Sequence, residues 1–264
     1  MDFFFEPAFE ISELSRLLGM TFAPGHRSQS SVPGRRIQRL LALEGQGNWL
    51  SRDWEFARLR LLVKNLSEIE KERPEILRVF RREIRRAKKD DSFLGIRFEI
   101  SIAASLIRKR ILFTKGEAPD FTLLGPPEET YIECGSGHIR GAYHLSLMDK
   151  AKRILAEKSA KPYSHSRTAL FLDVTNVVAV TRTVEQIPAG RGWLRETATE
   201  LSKLGTFGSI LLFCYMPNPQ LHRYESNYVR ADRDDASPFL LFRLDAMFPK
   251  GHHEVATPLM PLEG

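Results

Sequence analysis

The sequence predicts an α/β fold with a mixed central sheet, flanked by a helical N-terminal region, and two features carry most of that reading. First, two short runs, Thr168 to Val174 (TALFLDV) and Ser209 to Tyr215 (SILLFCY), are almost wholly apolar, as strands covered on both faces are, and the helical stretch Trp193 to Leu204 separates them. Strand, helix, strand is the parallel crossover pattern. Second, Asp120 to Leu124 and Thr130 to Cys134 flank Gly125, Pro126 and Pro127, which predicts an antiparallel hairpin.

The chain begins with helical spacing over Phe9 to Leu18, followed by a loop rich in Gly, Ser and Pro from Pro24 to Gly34. Helical spacing resumes over Arg35 to Leu43 and over Trp54 to Leu66. Ser67 and Glu70 have the spacing of a capping box, while Pro74 calls for a restart or a kink. From Arg78 to Lys89 the residues Arg78, Arg81, Arg82, Arg85, Arg86, Lys88 and Lys89 surround the stripe Ile76, Phe80, Ile84 and Ala87, an amphipathic helix with a basic outer face. That face is either solvated or tracks phosphates. A helix over Leu145 to Ser159 follows the hairpin. Tyr228 to Leu244 reads as an edge hairpin turning at Asp234 to Ala236, and residues 249–264 as a tail.

With 264 residues, 42% hydrophobic and 27% charged, the composition is that of a globular protein, and no apolar run approaches the ~18 residues that span a bilayer. The start, MDFFFEPAFE, lacks a basic leader region, so a cytoplasmic location is expected. Cys134 and Cys214, both in expected strands, predict buried thiols rather than a disulfide. Most of the net charge of +6 sits in residues 1–90, which hold 18 Lys/Arg against 13 Asp/Glu.

Three carboxylates stand in otherwise apolar segments. Glu99 shares a helix face with Ile96, Ile102, Ala103 and Leu106 within Leu94 to Ile107, so it is expected to be buried and to need a partner. Asp120 opens the first hairpin strand and Glu133 lies late in the second, near the same end and close enough for both to hold one hard cation.

At Glu99, Pro119-Asp120 and Glu133 the chain resembles the PD-(D/E)XK nuclease superfamily, over roughly residues 93–216. The resemblance implies a restriction-endonuclease-like core of order αβββαβ within residues 91–248, behind a basic helical region over residues 1–90. It implies Mg²⁺-dependent hydrolysis of phosphodiester bonds, in DNA before other nucleic acids, with Mn²⁺ as the substitute ion. Asp120 and Glu133 would bind the ion with the main-chain carbonyl of Cys134, Glu99 would hold one of its waters, and the basic residues of Arg78 to Lys89 would seat the backbone. A nuclease cutting both strands would often be a homodimer. The motif lysine falls on Gly135, so another cation is needed, and Lys150 near the start of the following helix is the first choice. Lys152 and Lys158 on the same helix, Lys115 and His138 are alternatives. The rival is a non-catalytic nucleic-acid-binding or interaction protein that keeps the fold.

Gly135, Gly137 and Gly141 follow a strand, but no helix opens directly on them and Asp173 is too distant to complete a dinucleotide site. Asp173 reads as a turn cap through Thr175 and Asn176. His144 and the pair His252-His253 read as surface residues.

Overall fold

The computed structural model describes residues 7–23, 25–45, 49–137, 147–180, 187–218, 223–250 and 254–258. The chain forms two compact units, Met1–Arg108 and Lys109–Gly264. Among the described residues no helix is long and apolar enough to cross a membrane.

The first unit is helical: α1 (Pro7–Leu18), a 3-10 turn (Arg27–Ser30), α2 (Val32–Gly45), α3 (Trp49–Glu72), α4 (Pro74–Arg86) and α5 (Asp90–Arg108). Helix α3 passes straight through Ser67 and Glu70, so their spacing marks no cap; Glu70 instead pairs with Arg16 and Arg81. The break comes at Arg73, whose backbone leaves the helical region (φ −144°, ψ 64°), and Pro74 restarts the chain at the first helical position, where its missing N–H costs nothing.

Helix α4 buries Ile76, Leu77, Phe80 and Ile84, as its stripe predicts, but its basic face is divided. Arg81 Nε donates to Leu17 O at 2.5 Å, and Arg85 Nη2 donates to Leu18 O at 2.8 Å and Gly19 O at 3.1 Å. These two guanidiniums close the C-terminal carbonyls of α1, which have no partner within their own helix. Both side chains therefore have a structural role in joining α4 to the end of α1. Arg78, Arg82, Arg86, Lys88 and Lys89 remain exposed. Arg81→Ala with Arg85→Ala is expected to cost roughly 2 kcal/mol in chemical denaturation, the scale of charge-assisted hydrogen bonds, while Arg82→Ala with Arg86→Ala should leave the midpoint unchanged.

The second unit is a seven-stranded mixed sheet whose strands lie in sequence order. β1 (Phe113–Lys115), β2 (Phe121–Leu123) and β3 (Thr130–Ser136) form an antiparallel meander. After α6 (Leu147–Ser159), β4 (Thr168–Asp173) lies parallel to β3; after α7 (Thr175–Val180) and α8 (Ile187–Leu204), β5 (Ser209–Asn218) lies parallel to β4. β6 (Arg223–Asp232), α9 (Pro238–Met247) and β7 (Glu254–Pro258) complete it, β6 and β7 running antiparallel to their neighbours.

Every residue of β4 is buried, as a strand covered on both faces requires. Leu170, Leu172, Ile210 and Leu212 pack in one cluster with Leu155 of α6, Val177 of α7 and Leu201 of α8. Their neighbours in alternation face the other side, where Phe171, Phe213, Tyr228 and Phe248 stack with centroids 5.2 to 5.8 Å apart.

Two expectations change here. Tyr228 to Leu244 is not a hairpin: β6 ends at Asp232 and Pro238 starts α9 at its first turn. Residues 249–264 are not wholly a tail, since β7 lies within them. Arg230, with 1% of its side chain exposed, pairs with Asp232 of its own strand at 2.8 Å and ties β6 to α9 through Asp245 at 2.7 Å.

Candidate functional site: the Asp120 and Glu133 carboxylates

The register Phe121↔Ile132, carried one residue further, sets Asp120 opposite Glu133. Main-chain polarity then explains what Asp120 does. The N–H groups of Tyr131 and Gly137 point toward β4, bonding Arg167 O and Asp173 O, so by alternation the N–H of Cys134 points the other way, past the end of β2. Asp120 Oδ2 accepts that orphaned N–H at 2.7 Å. The Cys134 carbonyl points to the same side, since both ladder groups of a strand residue do.

The remaining oxygens meet lysines. Asp120 Oδ1 lies 3.5 Å from Nζ of Lys115 on β1, and Glu133 Oε1 accepts from Nζ of Lys158 on α6 at 2.5 Å. Both carboxylates are buried, Glu133 to 3% exposure and Asp120 to 8%. Glu133 Oε2 is fully buried and makes no hydrogen bond of good geometry, while the Tyr163 hydroxyl approaches the same carboxylate. Oε2 is therefore the least satisfied oxygen of the pair.

Burial, and then the neighbouring charge of Asp120, raise the pKa of Glu133 even though Lys158 opposes them. Lys158 is raised despite the burial that lowers an ammonium, chiefly by its bond to Glu133 and then by the charges of Glu133 and Asp120. It is therefore an ammonium at neutral pH. Tyr163, in the turn after α6, is pushed up by burial and then by Glu133, so its phenol keeps its proton.

The lysine reaching the site from α6 is Lys158, whereas the sequence favoured Lys150. The helix of a parallel crossover runs back along its strand, so one turn forward in α6 matches two residues backward in β3. A Cβ on Gly135 would stand 3.1 Å from Ile154 Cγ2, and one turn on, Lys158 meets Glu133. Lys150 lies two turns the other way, about 12 Å along the helix axis from Lys158. The same packing shows why position 135 carries no lysine: that Cβ would also be 2.7 Å from Leu172 Cδ2. Gly135→Lys is accordingly expected to destabilise the protein by about 1–3 kcal/mol, read from its melting curve, and not to substitute for Lys158.

Glu99 is half-buried on α5, in the first unit, rather than fully buried as its face predicts. Among the described residues no group of three His, Cys, Asp or Glu side chains is placed to hold a metal ion. Asp173 is a turn cap, its Oδ1 accepting the Thr175 N–H at 2.9 Å. Cys134 and Cys214 are buried free thiols, and burial pushes Cys214 up to about 12. His138, His144, His252 and His253 lie outside the described residues. Tyr163 carried no signal in the sequence, because a tyrosine in a turn is ordinary until the turn is known to fold back on β3.

No protein-family model, curated protein or solved structure matches the chain.

Proposed function

We propose that the second unit is the core of a Mg²⁺-dependent nuclease of the PD-(D/E)XK kind, with Asp120 and Glu133 as its carboxylates and Lys158 as its cation. The observation that carries this reading is the buried acid pair at the end of β2 and β3, with Asp120 closing the Cys134 N–H and Glu133 Oε2 incompletely satisfied. Within the second unit the order β1, β2, β3, α6, β4, with β4 parallel to β3, supports the βββαβ part of the expected core, while α5 belongs to the first unit.

The residues present suit a small divalent cation. Mg²⁺ is commonly held by one or two carboxylates while keeping several waters, and Asp120, Glu133 Oε2 and the Cys134 carbonyl are the oxygens near the end of β3 that would hold it. Mn²⁺ accepts the same oxygen ligands. When bound, the ion would lower the pKa of a water and offset charge building on the scissile phosphate. Lys158, held protonated, supplies positive charge to the phosphate and cannot serve as the base. Tyr163 can only donate.

The substrate is nucleic acid, DNA in the first instance, with Arg78, Arg82, Arg86, Lys88 and Lys89 available to its backbone. The enzyme is cytoplasmic, and a dimer if it cuts both strands. A second reading, a nucleic-acid-binding protein without catalysis, is favoured by the ammonium already beside each carboxylate. Purified protein incubated with linear, circular and single-stranded DNA and with RNA separates the two. Cleavage that needs Mg²⁺ or Mn²⁺ and stops with a chelator supports the nuclease; intact substrates throughout favour the binding protein.

A further inference from the structure

The two faces of the β1–β3 meander differ. Alternation puts Phe113, Phe121, Leu123 and Ile132 on one face, where all four are buried. On the other face, the one that α6 approaches, the register lines up Thr114, Thr122 and Tyr131 in a row across the three strands. Thr114 is exposed and Thr122 and Tyr131 are half-buried. At the edge of the row the Leu124 N–H bonds Leu112 O at 2.9 Å, and both leucines are exposed, to 37% and 67%. The apolar cluster beneath α6, α7 and α8 takes in residues of β4, β5 and β6 but, among the described residues, none of β1, β2 or β3. The row is therefore an open sheet face. Asp120 and Glu133 stand at its end, Glu133 two residues beyond Tyr131 on the same face, about 6.5 Å along the strand.

The turn after α6 borders this face and brings an aromatic ring to it. His165 meets Tyr131 edge to face, with centroids 5.6 Å apart and planes at 69°. The rings of Phe113, Phe121, Phe171 and Phe213 are buried on the opposite face of the sheet, whereas Tyr131 and His165 are each only half-buried. In an edge-to-face pair the ring that offers its edge has neither of its own faces covered by the partner. His165 Nδ1 accepts the Arg167 N–H at 3.2 Å and so carries no proton. Burial and then the charge of Arg167 lower its pKa, which keeps the ring neutral near pH 7. The charge of the surroundings is one-sided. Residues 158–168, KSAKPYSHSRT, hold Lys158, Lys161 and Arg167 and no acid, and β1 is entered through Lys109 and Arg110.

We propose that this face seats one unpaired nucleotide, its base stacked on the Tyr131–His165 pair and its phosphate at the acid pair, so that the substrate is single-stranded nucleic acid. The inference rests on the nuclease reading above and narrows it. Aromatic rings hold bases of any sequence, since every base has a π-face, and cations alongside track the backbone. A base within a duplex is stacked on both sides and must leave the stack before a protein ring can take it, which sets duplex DNA at a disadvantage.

The test is fluorescence anisotropy of labelled DNA titrated with the full chain in EDTA, so that nothing is cut. The probes are a short single strand, the same strand annealed to its complement, and an abasic strand of equal length. The single strand is expected to bind about tenfold more tightly than either of the others, the scale of one base stacked on an aromatic ring. Tyr131→Ala and His165→Ala should each erase most of that preference, and Tyr131→Phe, which keeps the ring, should retain it. The abasic comparison uses the natural protein, so it decides the matter even if a variant fails to fold. Equal affinity for the three probes, or a preference unchanged in both alanine variants, overturns the proposal. No binding of any probe overturns it as well. The nuclease reading is judged separately, by whether Mg²⁺ brings cleavage of the same strands.

Discussion

Lys158→Met is expected to destabilise the second unit by about 3 kcal/mol at pH 8 and by much less at pH 5. Removing one partner of a buried ion pair typically costs ~3–5 kcal/mol, because the other charge is left stranded. The low end applies since Lys158 keeps 22% of its side chain exposed. The pH dependence follows from which group remains. Glu133 already sits above its ordinary pKa through burial and Asp120, and without Lys158 it rises further. A carboxyl whose folded pKa is raised binds its proton more tightly when folded, so the variant regains stability as pH falls through that value. Lys158 itself is raised, so its contribution in the natural protein is full below the ordinary lysine value and is lost only in strong alkali, above its folded pKa. At pH 8 the loss corresponds to a fall in melting temperature of roughly 6–12 °C for a unit of this size. Glu133→Gln combined with Lys158→Met should recover part of it, and the cycle of the four proteins gives the coupling. An equal loss at both pH values would mean that Glu133 is not the group left stranded.

The parts of this site that follow from local rules were legible, and those that depend on how elements slide past one another were not. Alternation along Thr130 to Cys134 and the turn at Gly125 to Pro127 are enough to set Asp120 and Glu133 near one end of the hairpin, and the paired register stops one step short of them at Phe121↔Ile132. The apolar runs of β4 and β5 and the stripe of α4 follow likewise from period alone. Lys158 could not be chosen over Lys150, because both project from α6 and only the packing of Ile154 against Gly135 fixes the helix along the strand. Arg81 and Arg85 looked like ligands for phosphate because their acceptors, the last carbonyls of α1, lie more than 60 residues away in sequence. Residues 238–242 (PFLLF) have the apolar density of a strand, and only Pro238 at the first helical position signalled α9.

Asp120→Asn should abolish most metal-dependent cleavage, by roughly a hundredfold or more, and should also cost some stability, because it removes the charge beside the buried Lys115. The asparagine carbonyl can still accept the Cys134 N–H, so the end of β2 stays closed, but the charge opposite Glu133 is gone. Asp120→Ala removes the acceptor as well and should cost a further ~1–3 kcal/mol, the penalty of a buried N–H left unpaired. A stability difference between the two variants at equal loss of activity therefore separates the structural role of Asp120 from its chemical one. The Asn variant also tests the electrostatics. The charge of Asp120 is the second cause, after burial, of the upward shift of Glu133 from its ordinary 4.5, so Asp120→Asn should lower that pKa. In the natural protein a raised Glu133 makes stability fall as pH rises from 4.5 to its folded value, and that fall should flatten in the variant. Carboxyl-carbon NMR of Glu133 reads the shift directly. An unmoved Glu133 titration would mean that the two carboxylates do not face each other, and unimpaired cleavage by Asp120→Asn would remove the acid pair from the chemistry.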